Sequence, residues 1–160
     1  MKCLEFGTLP PIYTSEAPKL DLMAYCGDYL QQEIMAEGLT RNLPAFSRFL
    51  ETAANLNGQI FQYTKIHEHA GIPKTTVIEY FKILQDTLIA FDVPAWTKST
   101  RRKAILTSKY YFFDVGVLRT LQKRKRLRLS TVEFGEAFET FIAHELKAYV
   151  DYYFPTEFLN

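Results

Sequence analysis

The hydrophobic pattern of this chain changes its period once, and that change limits the possible folds more than any other feature. Up to about residue 84 the apolar residues recur every three or four positions, as they do on one face of a helix. Residues 88–93 instead alternate with period two, which is typical of a strand. The pattern predicts a short helix over 64–70, a sharp turn at Gly71-Ile72-Pro73 and a second helix over 74–84.

Two short helices joined through a glycine turn are typical of a helix-turn-helix. Further strand material is predicted at 104–106 and 110–113, joined to the first strand by a polar, basic loop over 94–103. Helices followed by such a hairpin make a winged helix, with the loop as its wing. The sequence therefore predicts a winged helix-turn-helix core.

The second helix of this unit divides into two predicted faces. The apolar positions expected to face the core are Val77, Ile78, Phe81 and Leu84. The positions expected on or near the outer face are Lys74, Thr75, Glu79 and Lys82.

Basic charge is concentrated in one third of the chain. The formal net charge is only +1, but residues 98–130 contain eleven basic residues and one acid, Asp114. The other eight basic residues face seventeen acids. This basic strip is a candidate surface for a polyanion.

These features suggest double-stranded DNA as a partner. Lys74, Thr75 and Lys82 are the candidate contacts to the major groove or its phosphates. The candidate phosphate contacts at the tip of the wing are Lys98, Arg101, Arg102 and Lys103. About six phosphate contacts would lower the affinity by about three orders of magnitude between low and moderate salt.

Protein binding is the alternative, because winged helices also act as docking modules and basic loops are usually solvated. Glu79 on the outer face counts against DNA, and the helix has no Arg or Asn placed for base readout. In this alternative the basic strip and an aromatic C-terminal helix bind a partner subunit.

Amphipathic helices are predicted on both sides of the central unit. Two lie at 20–37 and 46–56, a turn or two of helix at 117–121, and a long aromatic-rich helix at 134–154. Residues 123–128 are expected to be a solvated basic run, and Gly7 to Pro11 a loop. The predicted class is α+β, mostly helical, with an N-terminal helical segment (1–57), a winged helix (58–120) and a basic linker with the C-terminal helix (121–160).

No complete catalytic site is expected. The chain contains no G-x-x-x-x-G-K-[ST] sequence, so no glycine-rich loop can hold a triphosphate. The residues considered as metal ligands are Glu136, Glu139, Glu145, His67, His69 and His144, whose spacings favour ordinary surface roles. We expect no cofactor, no metal and no membrane partner, and the two distant cysteines favour a reducing cytoplasm.

Several short motifs occur in a familiar order. They are Gly7-Thr8-Leu9-Pro10, residues 22–34 with Arg41, residues 70–77 with Tyr80, Leu84 and 88–89, Pro94, Trp96, Lys109, residues 111–114 with Gly116, and residues 135–139 with 145–146. In order and spacing the chain resembles the C-terminal region of prokaryotic AAA+ family ATPases whose ATPase module is followed by a domain of unknown function.

That resemblance implies a P-loop ATPase first, then a winged helix, then a domain with a fold similar to restriction-endonuclease-like nucleases. It also implies an ATPase module as a possible partner. The chain departs from the pattern in having no P-loop, and Pro73 stands where a capping Ser is expected. We therefore expect a non-catalytic fragment of such a protein.

Overall fold

The structure is a computed structural model that describes residues 1–29, 32, 34, 42–60, 62–95 and 108–154. The described part is mostly helical and contains a small antiparallel sheet, so the α+β class is confirmed. The elements are α1 (Lys2–Phe6), α2 (Pro10–Thr14), α3 (Pro18–Ala24) with a π-helical turn (Tyr25–Tyr29), α4 (Leu43–Asn55), α5 (Tyr63–Ala70), α6 (Lys74–Asp86), β1 (Ala90–Val93), β2 (Lys109–Phe112), α7 (Val115–Leu121) and α8 (Val132–Tyr153).

The predicted pair of short helices is present as α5 and α6. Gly71 ends α5 in the left-handed conformation, with φ +64°, which a residue with a side chain adopts only with strain. Pro73 is the N-cap of α6, and no side chain caps the start of this helix. The glycine turn is therefore confirmed, and α6 begins at Lys74 as predicted.

Helices α4, α5 and α6 share one core built around aromatic rings. The rings of Phe46 and Tyr80 meet edge to face at 5.0 Å, and those of Phe49 and Phe81 do so at 4.9 Å. Each such pair contributes about 0.5–1.5 kcal/mol beyond the area it buries. Leu118 of α7 belongs to the same core, which thus draws on residues before and after position 57. The division into segments at 57 and 120 stays a prediction.

Ile78 is an error in the predicted faces of α6. Its side chain is 45% exposed, whereas Tyr80 and Ile83 are buried. The core contacts α6 on the side of Val77, Phe81 and Leu84, and Ile78 lies one position beyond the edge of that side.

The sheet consists of β1 and β2, paired antiparallel with Ala90 opposite Phe112 and Val93 opposite Lys109. The first strand begins two residues later than predicted, because Leu88 takes a left-handed conformation with φ +59° between α6 and the strand. Ile60 forms an isolated bridge to Lys109 on the other edge of β2. The predicted strand at 104–106 lies outside the described residues.

The N-terminal helices pack on α7 through a buried aspartate. Asp114 caps α7 by accepting a hydrogen bond from Val117 N at 2.9 Å. Its other oxygen accepts from Thr8 N at 2.7 Å. A Cβ at Gly116 would overlap the Phe6 carbonyl, so this contact needs glycine. The predicted loop is shorter than expected, because Pro10 begins α2.

The C-terminal helix α8 is attached through its first half. Thr131 caps it, and the buried Thr140 accepts a hydrogen bond from Asn57 Nδ2 at 2.8 Å. Five of its aromatic and aliphatic side chains are exposed: Phe138, Ile142, Leu146, Tyr149 and Tyr153. The second half of α8 thus presents aromatic and aliphatic side chains to solvent.

The prediction that residues 123–128 are a solvated run is wrong for one residue. Leu127 is buried against Val115 and Ala137, and its N–H donates to Glu5 Oε1 at 3.3 Å. One apolar residue thus anchors the basic run to the fold.

Candidate nucleic-acid interface

The outer face of α6 carries three of the predicted DNA contacts. Lys74, Thr75 and Lys82 are all exposed, on the side of the helix away from its buried residues. Positions 74, 78 and 82 are four residues apart and lie along one face. The turn at Gly71 holds this face in place, because it fixes α6 against α5.

The charge of this face is mixed. Glu79 and Asp86 are exposed on α6 with the two lysines, and Ile78 adds an apolar side chain between them. Such a face favours contacts to phosphates over base readout, for which a bidentate Arg, Asn or Gln is the usual donor.

The wing contacts Lys98, Arg101, Arg102 and Lys103 lie outside the described residues. Their role stays a prediction. The described residues at the base of the hairpin are Val93, Pro94 and Ala95, all exposed.

Several basic residues in the rest of the strip are paired with acids. Lys109 donates to Glu139 at 2.9 Å, and this hydrogen bond raises the pKa of the lysine, while the hydrogen bonds from Tyr111 and Lys109 lower the pKa of the Glu139 carboxyl. Tyr111 donates to the same carboxylate at 2.7 Å.

Two more basic residues of the strip are paired with carboxylates. Lys123 donates to Glu51 at 2.7 Å, and Arg124 donates to Glu133 at 3.0 Å and to Glu136 at 3.4 Å. These pairs neutralise part of the charge that the sequence suggested for a polyanion. Glu136 and Glu139 thus pair with different basic side chains, Arg124 and Lys109.

Arg119 is a candidate functional residue that the sequence did not indicate. It is 5% exposed and lines a cavity of about 720 Å³ beside α1 and α3. In the sequence it is one more member of a basic strip. Only the packing of α7 against α1 and α4 places it inside.

The other candidate groups have structural partners. His67 Nδ1 lies 2.6 Å from Ile72 O, and His69 Nδ1 lies 2.6 Å from Lys65 O. Burial, with the charge of Asp114, raises the pKa of the Cys26 thiol to about 12, so it is protonated at neutral pH. Across the described ranges no three His, Cys, Asp or Glu side chains converge as for a metal ion.

No helix in the part of the chain that the structure describes has both the length and the hydrophobicity to cross a bilayer. In comparison with known protein families, the profile of a domain of unknown function, DUF8612, matches residues 1–128. No curated protein and no solved structure matches significantly. The matched region contains α1 to α7, both strands and the whole outer face of α6. The chain therefore belongs to the DUF8612 family.

Proposed function

We propose that this protein is a non-catalytic winged-helix module that binds double-stranded DNA through α6 and the loop that follows β1. The observation that carries the proposal is the outer face of α6, where Lys74, Thr75 and Lys82 are exposed together. The order of the elements supports it, since α5, a glycine turn, α6 and an antiparallel hairpin follow one another.

Phosphate contacts dominate the proposed binding. Both lysines of the face are free of salt bridges among the described residues, and the loop adds Lys98, Arg101, Arg102 and Lys103. Glu79 on the same face opposes close approach to a polyanion. The affinity is therefore modest, strongly dependent on salt and weakly dependent on sequence.

We further propose that the module derives from the C-terminal region of an AAA+ ATPase-like protein and regulates an ATPase module where one is attached. Two of the motifs that carry the resemblance support this, although 106 positions separate them. Thr8 of the first motif donates to Asp114 of the second, and Gly116 lies against the Phe6 carbonyl. The pairing gives both motifs a reason to occur together.

The test is titration of a labelled duplex at two salt concentrations with the Arg101→Glu, Arg102→Glu, Lys103→Glu variant. The wild type should bind at low salt, and the triple change should weaken binding at least a hundredfold. A matched control is the Lys2→Glu, Lys19→Glu variant, which reverses two exposed charges on α1 and α3. If low-salt binding is undetectable, or the triple change leaves it unaltered, the DNA proposal is wrong.

A protein-interaction module without DNA binding is the second candidate. The exposed apolar residues of α8 favour it, since Leu146, Tyr149 and Tyr152 are all more than half exposed. Large contiguous apolar patches on a surface often mark sites of interaction. Absence of duplex binding, together with a protein partner whose binding is lost on Leu146→Asp, would favour this candidate.

A further inference from the structure

A second basic site lies away from α6, in the cavity of about 720 Å³ bordered by α1, α3 and the end of α7. The described residues that line it include one acid, Glu5, and these six cations: Lys19, Arg119, Lys123, Arg124, Lys125 and Arg126. Lys123 takes a left-handed conformation, with φ +56°, and this turn directs the following basic residues back beside α7.

Two arginines, Arg119 and Arg124, form part of the wall of the cavity. The Nε of Arg124 is buried and has no hydrogen-bond partner among the described residues. Arg119 is almost completely buried, and its Nη2 donates to Lys125 O at 2.6 Å. No described carboxylate forms a salt bridge with it. Burial holds its pKa below the ordinary value, with partial compensation from Glu133 and Glu5. A charge desolvated in this way is costly unless an anion meets it.

Three of the other cations are also without a salt bridge in the described part of the chain: Lys19, Lys125 and Arg126. The one lining acid, Glu5, already accepts a hydrogen bond from Leu127 N. The cavity therefore has an excess of positive charge at short range, in contrast to the mixed face of α6.

The opposite part of the lining is apolar. Phe6, Leu22 and Met23 contribute to it, and Leu22 is buried while Met23 is more than half exposed. A volume of this size is in the range of small-molecule sites, which combine an apolar wall with a few charged groups that fix the orientation.

We propose that this cavity binds a small organic molecule that carries a phosphate group. The phosphate lies against Arg119 and the lysines, because a guanidinium and ammonium groups are the usual protein donors to phosphate oxygens. The organic part lies against Phe6, Leu22 and Met23. The site shares no residue with the proposed DNA contacts, so each stands or falls without the other.

The test is calorimetric titration of the whole chain at pH 8 and constant ionic strength, with phenyl phosphate and inorganic phosphate as probes. Both probes are mainly dianionic at this pH. Phenyl phosphate should bind at least about tenfold more tightly than inorganic phosphate, because its ring buries apolar area. The Lys19→Ala, Lys125→Ala variant changes two exposed residues and should bind at least about tenfold more weakly.

The matched control is Lys74→Ala, Lys82→Ala, which removes two exposed lysines from α6 and should leave both affinities unchanged. Four results would each overturn the proposal: no saturable binding of either probe, equal affinity for both, an equal loss in the control variant, or displacement of phenyl phosphate by duplex DNA. The last would make the cavity part of a DNA-binding surface.

Discussion

At the scale of single residues, Asp114 joins the loop after α1 to the start of α7. It is almost completely buried, yet its two oxygens accept from Thr8 N and Val117 N. Gly7 and Gly116 allow this approach, since a Cβ at Gly7 would overlap the carboxylate and one at Gly116 would overlap the Phe6 carbonyl. The aspartate thus fixes the start of α7 and the loop after α1 at one point.

Asp114→Ala should lower the free energy of unfolding by about 2–4 kcal/mol, because it removes a helix cap and leaves the Thr8 N–H without a partner. Urea denaturation followed by far-UV circular dichroism measures this. The control is Thr8→Ala, which keeps the backbone N–H and removes only a hydroxyl 3.5 Å from the carboxylate. A loss below 1 kcal/mol for Asp114→Ala, or equal losses for both variants, would contradict this account of the aspartate.

At the scale of elements, the attachment of α8 to the sheet depends on a small polar network. Glu139 accepts from Lys109 and Tyr111 of β2, and Asn57 links Phe112 N to Thr140. These bonds lie in the first half of α8, and the second half is mostly exposed. The strength of the attachment should therefore depend on the charge of Glu139.

The hydrogen bonds from Tyr111 and Lys109 lower the pKa of Glu139 below its ordinary value of 4.5. Its contribution to stability is therefore present above about pH 4.5 and is lost as the pH falls through the lower pKa of the folded state. The wild type should exceed Glu139→Gln in unfolding free energy at pH 6, and the difference should shrink towards pH 3. Urea titrations at several pH values measure it.

Glu68→Gln serves as the comparison for this effect, because Glu68 is exposed on α5 and no described cation pairs with it. A difference for Glu139→Gln that stays constant from pH 6 to pH 3, or that Glu68→Gln reproduces, would show that the network does not act through the ionised carboxyl.

The sequence predicted the elements well where local rules decide them. The period of the apolar residues predicted α4, α5 and α6, and the glycine turn predicted the connection between α5 and α6. It failed where tertiary contacts decide. Ile78 and Leu127 are both apolar, so residue type alone does not distinguish an exposed from a buried position. Only long-range packing leaves Ile78 exposed and buries Leu127.

The candidate sites also divide into features that local sequence rules predict and features that depend on tertiary contacts. The exposure of Lys74, Thr75 and Lys82 follows from helical periodicity and could be predicted. The burial of Arg119 and the cavity beside it could not be predicted. Both depend on the packing of α1 and α3 against α7, which no local pattern specifies.

At the scale of the whole molecule, positive charge is divided between two places. Among the described residues, salt bridges neutralise Lys109, Lys123 and Arg124 of the basic strip. The first of the two places is the face of α6, and the second is the cavity around Arg119. The first suits an extended polyanion and the second a small anion, and the overall net charge of +1 predicts neither.

The most direct test of DNA binding by α6 is the salt dependence of duplex affinity in wild type and in Lys74→Ala, Lys82→Ala. If both lysines contact phosphates, the variant should bind more weakly and the slope of log affinity against log salt should decrease by about 2. The Lys2→Ala, Lys19→Ala variant should retain the wild-type slope. A slope that the α6 variant leaves unchanged, with affinity equal to wild type, would contradict the assignment of DNA binding to this helix.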